Sequence, residues 1–403
     1  MAKELTHLKT HEDAIYSCSR IGDCREAVMV SVGKYGVCPV YAHSPGFEAF
    51  YARGRLLVAQ GLLEGAIEPS AALADVAYQC TTCGSCKWSC HMTFEPSVRL
   101  FCEQHIPDHT KIWEALRADL VESAIGPMPR HKEILAWMRQ DHNPYNERHQ
   151  NRRTWIPKGV DVPAAGKTLF FAGCTGAYRR PEMLQPLLRL AQTTRTPLAV
   201  SPDEWCCGSV ASRTGDLPLA SDLAQHNGQL FRQMGARTLI TNCAGCYRTL
   251  KLEYPNLVEG YDFEVLHTTE WLNSLVQKGR LTFKPLNATV TYHDPCHLGR
   301  HSRIYDAPRA LLHAIPRLNV VEMKRNREHA WCCGAGGGVK SAFPDLALKI
   351  GADRIHEALD TGAQYLVSAC PFCKTNLQDA ASAEAATLQV VDILELLGQT
   401  AKS

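Results

Sequence analysis

Ten of the chain's 18 cysteines form one pattern written twice. Cys174, Cys206, Cys207, Cys243 and Cys246 are followed by Cys296, Cys332, Cys333, Cys370 and Cys373, at offsets of 122, 126, 126, 127 and 127 residues. Both copies contain Trp-Cys-Cys-Gly (Trp205 to Gly208 and Trp331 to Gly334), and in both a strand-like run, TLITNC or YLVSAC, leads into C-x2-C. Register held over so many positions predicts a duplicated domain with a two-fold-like relation between its halves. Around the cysteines, KTLFFAGC and ATVTYHDPC read as strands, while LASDLAQHNGQLFRQMGA and LALKIGADRIHEALDTGA carry helical periodicity and stop at Gly-Ala. Alternating strands and helices predict α/β layers. The cysteines then converge at strand carboxyl ends, where open α/β sheets place their sites.

What the thiols do depends on where the chain resides. Its first residues, MAKELTHLKTHED, lack the apolar run of a secretory signal, and nothing approaches the roughly 18 apolar residues of a membrane span. The expectation is a cytoplasmic protein without a direct membrane span, in which thiols stay reduced and cysteine spacing reports ligand binding instead of disulfides. Balanced charge, 43 Lys plus Arg against 41 Asp plus Glu, excludes nucleic-acid binding through bulk charge. The expected organisation is a further cysteine-bearing domain with a helical extension over residues 1–140, a linker over 141–166 that is polar and rich in Pro and Gly, and the two repeats over 167–285 and 286–403.

In the first of these regions Cys80, Cys83, Cys86 and Cys90 stand as C-x2-C-x2-C-x3-C. That spacing wraps three thiolates round one iron-sulfur cube and sends the fourth to a neighbouring cube, whereas structural zinc prefers separated pairs. Cys38, followed by Pro39, has the form of the fourth ligand for the Cys80, Cys83 and Cys86 cluster, a [4Fe-4S] cubane. Reciprocally, Cys90 joins Cys18 and Cys24, but the middle position of that first motif is Ile21, which cannot bind iron. Three outcomes follow for this second cluster: a [3Fe-4S] cluster, a [4Fe-4S] cluster completed by a carboxylate such as Asp23, or one completed by Cys102. For Cys102 a packed structural thiol is the plainer reading.

Each repeat offers five cysteines, one more than a cube has corners, and an adjacent pair is awkward for a regular cubane, so an unusual cluster is expected. Five thiolates concentrate negative charge that backbone N–H groups compensate. Gly208 and the run Gly334, Gly336, Gly337 and Gly338 allow the backbone to come close. The same run, GAGGGVKS, nearly spells a nucleotide loop but places Val339 where a glycine is required and follows a cysteine pair instead of a strand.

The arrangement C-x31-CCG-x34-C-x2-C, then C-x35-CCG-x35-C-x2-C, behind a ferredoxin-like segment, resembles the CCG-domain family of heterodisulfide reductase catalytic subunits in its fused form. The resemblance implies duplicated α/β CCG domains with Rossmann-like layers preceded by a mainly helical ferredoxin-like domain. It further implies one noncubane [4Fe-4S] cluster on Cys174, Cys206, Cys207, Cys243 and Cys246, and a second on Cys296, Cys332, Cys333, Cys370 and Cys373, with a disulfide reduced between them. His293 and His297, flanking Cys296, are candidate proton donors, although hydrogen bonding to cluster sulfur or simple packing is the plainer role for either. Trp205 and Trp331 are expected to shield the clusters. Lys340, Arg53 and Arg55 are candidates to meet an acidic substrate, with solvation the plainer reading. No flavin or NAD fingerprint is present, so electrons are expected through a partner: a flavoprotein, a hydrogenase-linked protein or a membrane cytochrome. The competing expectation is an electron-transfer subunit of a larger redox complex, bifurcating, acyl-CoA- or aromatic-reducing, or hydroxy-acid-oxidising, without disulfide chemistry of its own.

Overall fold

The computed structural model describes residues 5–29, 33–90 and 107–402. The chain forms two compact units, each assembled from separated segments. The first comprises Met1–Glu133, Val210–Leu217 and Lys324–Arg354; the second comprises Ile134–Ser209, Pro218–Met323 and Ile355–Ser403.

In the first unit, a core of Leu8, Ile15, Tyr51, Leu56, Leu62, Tyr78, Ile112, Trp113, Leu116 and Leu120 joins helices Ala52–Leu63, Ala71–Tyr78 and His109–Glu122. Ser70 and Asp108 cap the second and third of these by accepting the backbone N–H of Leu73 and Lys111, which removes one orphan donor from each helix start. Strands β1 (Glu26–Met29) and β2 (Gly33–Gly36) form an antiparallel pair.

Arg117, fully buried, is the polar centre of this unit. Its Nε and Nη2 donate to Ala77 O (3.1 and 2.7 Å), Nη2 also to Cys80 O (2.7 Å), and Nη1 to Arg213 O (2.8 Å) and Gly337 O (2.9 Å). A guanidinium has five N–H donors in a rigid fork, so one side chain ties three distant segments together. The glycine run completes the joint. A Cβ at Gly336 would lie 2.6 Å from Thr81 O, and one at Gly337, where φ is +62°, would lie 2.3 Å from Cys80 O. The close backbone approach expected of these glycines is therefore made to the Cys80–Thr81 loop. Gly334 and Gly208 match the sulfur-directed role: the Gly334 N–H donates to Cys332 Sγ at 3.3 Å, and the Gly208 backbone hydrogen-bonds the Cys206 sulfur.

The second unit carries the duplication. Strands β3 (Thr168–Phe171), β4 (Thr238–Thr241) and β5 (Glu264–His267) form a parallel sheet in that order. Strands β6 (Ala288–His293), β7 (Leu318–Val321), β8 (Tyr365–Ser368) and β9 (Gln389–Asp392) form a second parallel sheet in the order β7-β6-β8-β9. The first copy answers β7 with a single parallel bridge between Leu169 and Ala199. Leu169, Phe170, Phe171, Leu239 and Ile240 are all buried, as parallel strands covered on both faces require. Duplicated α/β domains are thus observed, with TLITNC and YLVSAC as the strands leading into each C-x2-C.

The polar stretch 141–166 packs into this second unit, with Asn143, Arg152, Trp155 and Val162 buried. Its Pro and Gly content reports irregular backbone, including the short 3-10 turn His149–Arg153, and not exposure.

Candidate functional site

Cys174 starts a short helix three residues beyond the end of β3, and Cys243 caps the helix that follows β4. Between Ala172 and Cys174 the chain turns at Gly173 with φ +68°, where a Cβ would stand 3.1 Å from Cys246 Sγ. Only glycine leaves that space. The sulfurs form a continuous contact chain, each within hydrogen-bond reach of the next: Cys174 with Cys206, Cys206 with Cys207, Cys207 with Cys246, and Cys246 with Cys243. All five are free thiols. Hydrogen bonds from Cys206 and Cys246 pull the Cys207 thiol down to about 6 against the opposing effect of burial, while burial drives Cys174 well up. Thiols packed this closely suit a set that releases its protons as a metal binds.

Two more features fit a sulfur-rich group here. The Asn242 side chain, 1% exposed, has neither amide atom hydrogen-bonded among the described residues, one position before Cys243. Cys243 also lies within hydrogen-bond reach of Cys370, its counterpart in the second copy. The two C-x2-C segments therefore meet.

Residues outside the cysteine pattern hold the first set in place. Arg152 Nη1 donates to Cys174 Sγ (3.3 Å) and Nη2 pairs with Glu204. Glu204 accepts the backbone N–H of Ala172 (2.9 Å) and Gly173 (3.0 Å), fixing the turn that presents Cys174. Asn227, fully buried, accepts Trp205 N–H and donates to Cys206 O (3.1 Å each). Trp205 is stacked between His142 and His226, with ring centroids 3.5 and 3.6 Å away and planes within 8°. Neither Arg152, Glu204 nor Asn227 belongs to a spacing motif. The one available signal was Glu204 itself, an acid two residues before a cysteine pair, where the second copy has Ala330.

Cys296 follows β6 after Asp294-Pro295, and Asp294 is held by both Nη atoms of Arg309 (2.7 and 2.9 Å), which also pairs with Glu322. Cys370 caps helix Pro371–Ala383, with Cys373 one turn on. These three lie in the second unit, whereas Cys332 and Cys333 lie in the first, buried beside Trp331, whose ring is covered by Arg325 at 4.0 Å. Both tryptophans are thus faced by imidazole or guanidinium groups.

His293 ends β6 in register with Ser368 and is buried. His297 reaches the first copy: a Cβ at Gly245 would meet Cys243 Sγ at 3.8 Å and His297 Nδ1 at 3.9 Å.

In the first unit, Cys18, Cys38, Cys80 and Cys86 pack against the core that includes Cys24. Burial pushes the Cys38 thiol up to about 11; the Arg55 guanidinium opposes this, and Cys80 and Cys83 add to it. Burial likewise raises Cys24 to about 12, with Cys90 and Cys18 as neighbours. The Ile21 side chain is 56% exposed. Cys102 falls outside the described residues. Arg55, read as solvated, is instead buried and bonded to Ala49 O and Val76 O, because its partners are carbonyls that carry no charge signal in sequence.

Residues 168–251 and 290–378 each match the family model of the cysteine-rich CCG domain. The D subunit of the dihydromethanophenazine:CoB--CoM heterodisulfide reductase of Methanosarcina barkeri is 36% identical over 98% of this chain and 96% of that protein. The B subunit of a fumarate reductase (CoM/CoB) of Methanothermobacter marburgensis is 33% identical over 79% of this chain and 60% of its own length. An EtfAB:quinone oxidoreductase of Syntrophomonas wolfei is 34% identical over 80% and 46%. Among solved structures, a hypothetical protein from Helicobacter pylori shares the fold with TM-score 0.55 and 13% identity over 90% of this chain and 70% of that one. No helix among the described residues is long and apolar enough to cross a membrane.

Proposed function

Since the chain belongs to the family of heterodisulfide reductase D subunits, iron-sulfur oxidoreductase subunits built on two CCG domains, we propose that it reduces a small disulfide between its two five-cysteine sets. The contact of Cys243 with Cys370 carries the reading, because it brings the two copies' C-x2-C segments to one place. Cys174, Cys206, Cys207, Cys243 and Cys246 hold one noncubane [4Fe-4S] cluster, and Cys296, Cys332, Cys333, Cys370 and Cys373 the other. Cys38, Cys80, Cys83 and Cys86 hold a cubane, while Cys18, Cys24 and Cys90 hold a further [4Fe-4S] or [3Fe-4S] cluster in a ferredoxin-like segment. When bound, these groups supply electrons singly, and two electrons with two protons convert one disulfide into two thiols.

The chain's own residues shape that chemistry. Eight of the ten ligand cysteines are buried, with Cys243 and Cys296 partly exposed, which limits the water that reaches the reacting sulfurs. His297, beside Cys243, and His293, at the end of β6, hold protons for the departing thiolates. Electrons arrive from a redox partner in the cytoplasm: a flavoprotein, a hydrogenase-linked protein or a membrane cytochrome.

Reduced-dye assays of the anaerobically purified chain against a panel of small disulfides test this. Cys207→Ser and Cys333→Ser are each expected to abolish disulfide reduction while the paramagnetic signals of the ferredoxin-type clusters persist; retained activity in either variant refutes it. The relative named for a quinone favours one second reading, an electron conduit of a larger complex. A chain with full iron content that reduces no disulfide yet exchanges electrons with a flavoprotein would support that conduit instead.

A further inference from the structure

The two copies differ in charge around their first cysteines. In the first copy, the buried guanidinium of Arg152 faces the ligand sulfur, donating to Cys174 Sγ at 3.3 Å, with one carboxylate, Glu204, behind it. That carboxylate is saturated by the guanidinium and by the N–H groups of Ala172 and Gly173. In the second copy Ala330 stands at the position of Glu204. Two residues before Cys296, the position matching Ala172 is Asp294, and the guanidinium there, Arg309, is shared between two carboxylates, Asp294 and Glu322. Arg152 is thus backed by one carboxylate with its fork turned towards sulfur, whereas Arg309 is shared between two, and a second buried guanidinium, Arg300, lies four residues after Cys296.

A cation and an N–H donor at a ligand sulfur stabilise the more electron-rich state of a sulfur-ligated centre, and low dielectric strengthens the effect. Resting on the cluster assignment above, we propose that Arg152 is a positioning residue that raises the reduction potential of the first five-cysteine site. Glu204 acts through Arg152: it aims the fork at Cys174 and offsets part of its charge.

The test is an anaerobic redox titration of the full holoprotein, followed by electron paramagnetic resonance with iron counting. Arg152→Gln is expected to lower the potential of the first site by at least a tenfold change in its reduction equilibrium, about 59 mV for a one-electron couple. Arg152→Lys, which keeps the charge but loses the fork, is expected to recover part of that shift. Glu204→Gln removes the offsetting charge and is expected to move the potential upwards. The second site is the internal reference and is expected to stay within error. Opposite signs for Arg152→Gln and Glu204→Gln are what a merely structural role does not produce. Unchanged potentials with iron retained, shifts of the same sign, or loss of iron in all three variants would overturn the inference. Disulfide reduction is measured separately, so signed shifts in a chain that reduces no disulfide leave this inference standing and remove the proposed reaction. A first site without iron in the unaltered chain removes both.

Discussion

Replacing Arg117 with methionine tests whether one guanidinium holds the first unit together. Its five N–H donations end on four carbonyls, those of Ala77, Cys80, Arg213 and Gly337, at 2.7 to 3.1 Å. Methionine fills similar volume but donates nothing, so the four oxygens lose these partners where water does not reach them. At about 1 to 3 kcal/mol for each buried group left unsatisfied, and taking the low end because carbonyls tolerate partial satisfaction, the loss is about 4 kcal/mol. That is a large part of a typical domain's roughly 5 to 15 kcal/mol. Arg117→Lys keeps charge and three donors without the fork, and about half the loss is expected. Urea unfolding followed by circular dichroism reports the size of the effect. Amide exchange at Ala77, Cys80, Arg213 and Gly337 reports its location. A cost below about 1 kcal/mol for Arg117→Met, or full stability in Arg117→Lys, would refute the idea that donor count governs this joint.

Acid should weaken the first unit through two buried imidazoles. Burial lowers His109 and His131 to about 4 from 6.5, so between those values the unfolded chain binds more protons and stability falls as pH falls. The fall is up to about 3 kcal/mol per group, and Gln at either position is expected to flatten the urea midpoint against pH by one group's share. Gly337→Ala forces a Cβ to within 2.3 Å of Cys80 O at φ +62°; a loss of about 2 kcal/mol or more and reduced iron at the Cys80 site are expected. Gly235→Ala is its control: φ is +68° but the space is open, so a cost of only about 1 kcal/mol is expected, and equal losses in the two variants would remove the steric argument.

Periodicity and repetition made the sheets legible. An apolar run of four residues ending in cysteine has few alternatives to a buried parallel strand, and seeing it twice at matched spacing identified β3 with β6 and β4 with β8. The interleaving of the two units left no such trace, because Val210–Leu217 and Lys324–Arg354 join the first unit through contacts distant in sequence, such as those of Arg117 with Arg213 O and Gly337 O. Buried arginines were equally hidden. Arg55, Arg117 and Arg152 bond carbonyls, a sulfur and one distant acid, so neither charge pairing nor local spacing distinguishes them from solvated side chains.

Duplication constrains backbone more tightly than chemistry, and the ends of β5 and β9 show how. His267 and Asp392 occupy equivalent register positions, opposite Thr241 and Ser368. Both cap the next helix through a reciprocal box, accepting the N–H of Thr269 or Leu394 while Glu270 or Glu395 accepts their own N–H. An N-cap needs only an acceptor, so either side chain serves. Burial favours the neutral form of both by opposite routes: it lowers His267 to about 4 and raises Asp392 well above its ordinary range. The copies therefore share a backbone position and an N-cap acceptor while differing in the side chain that supplies it, His267 in one and Asp392 in the other.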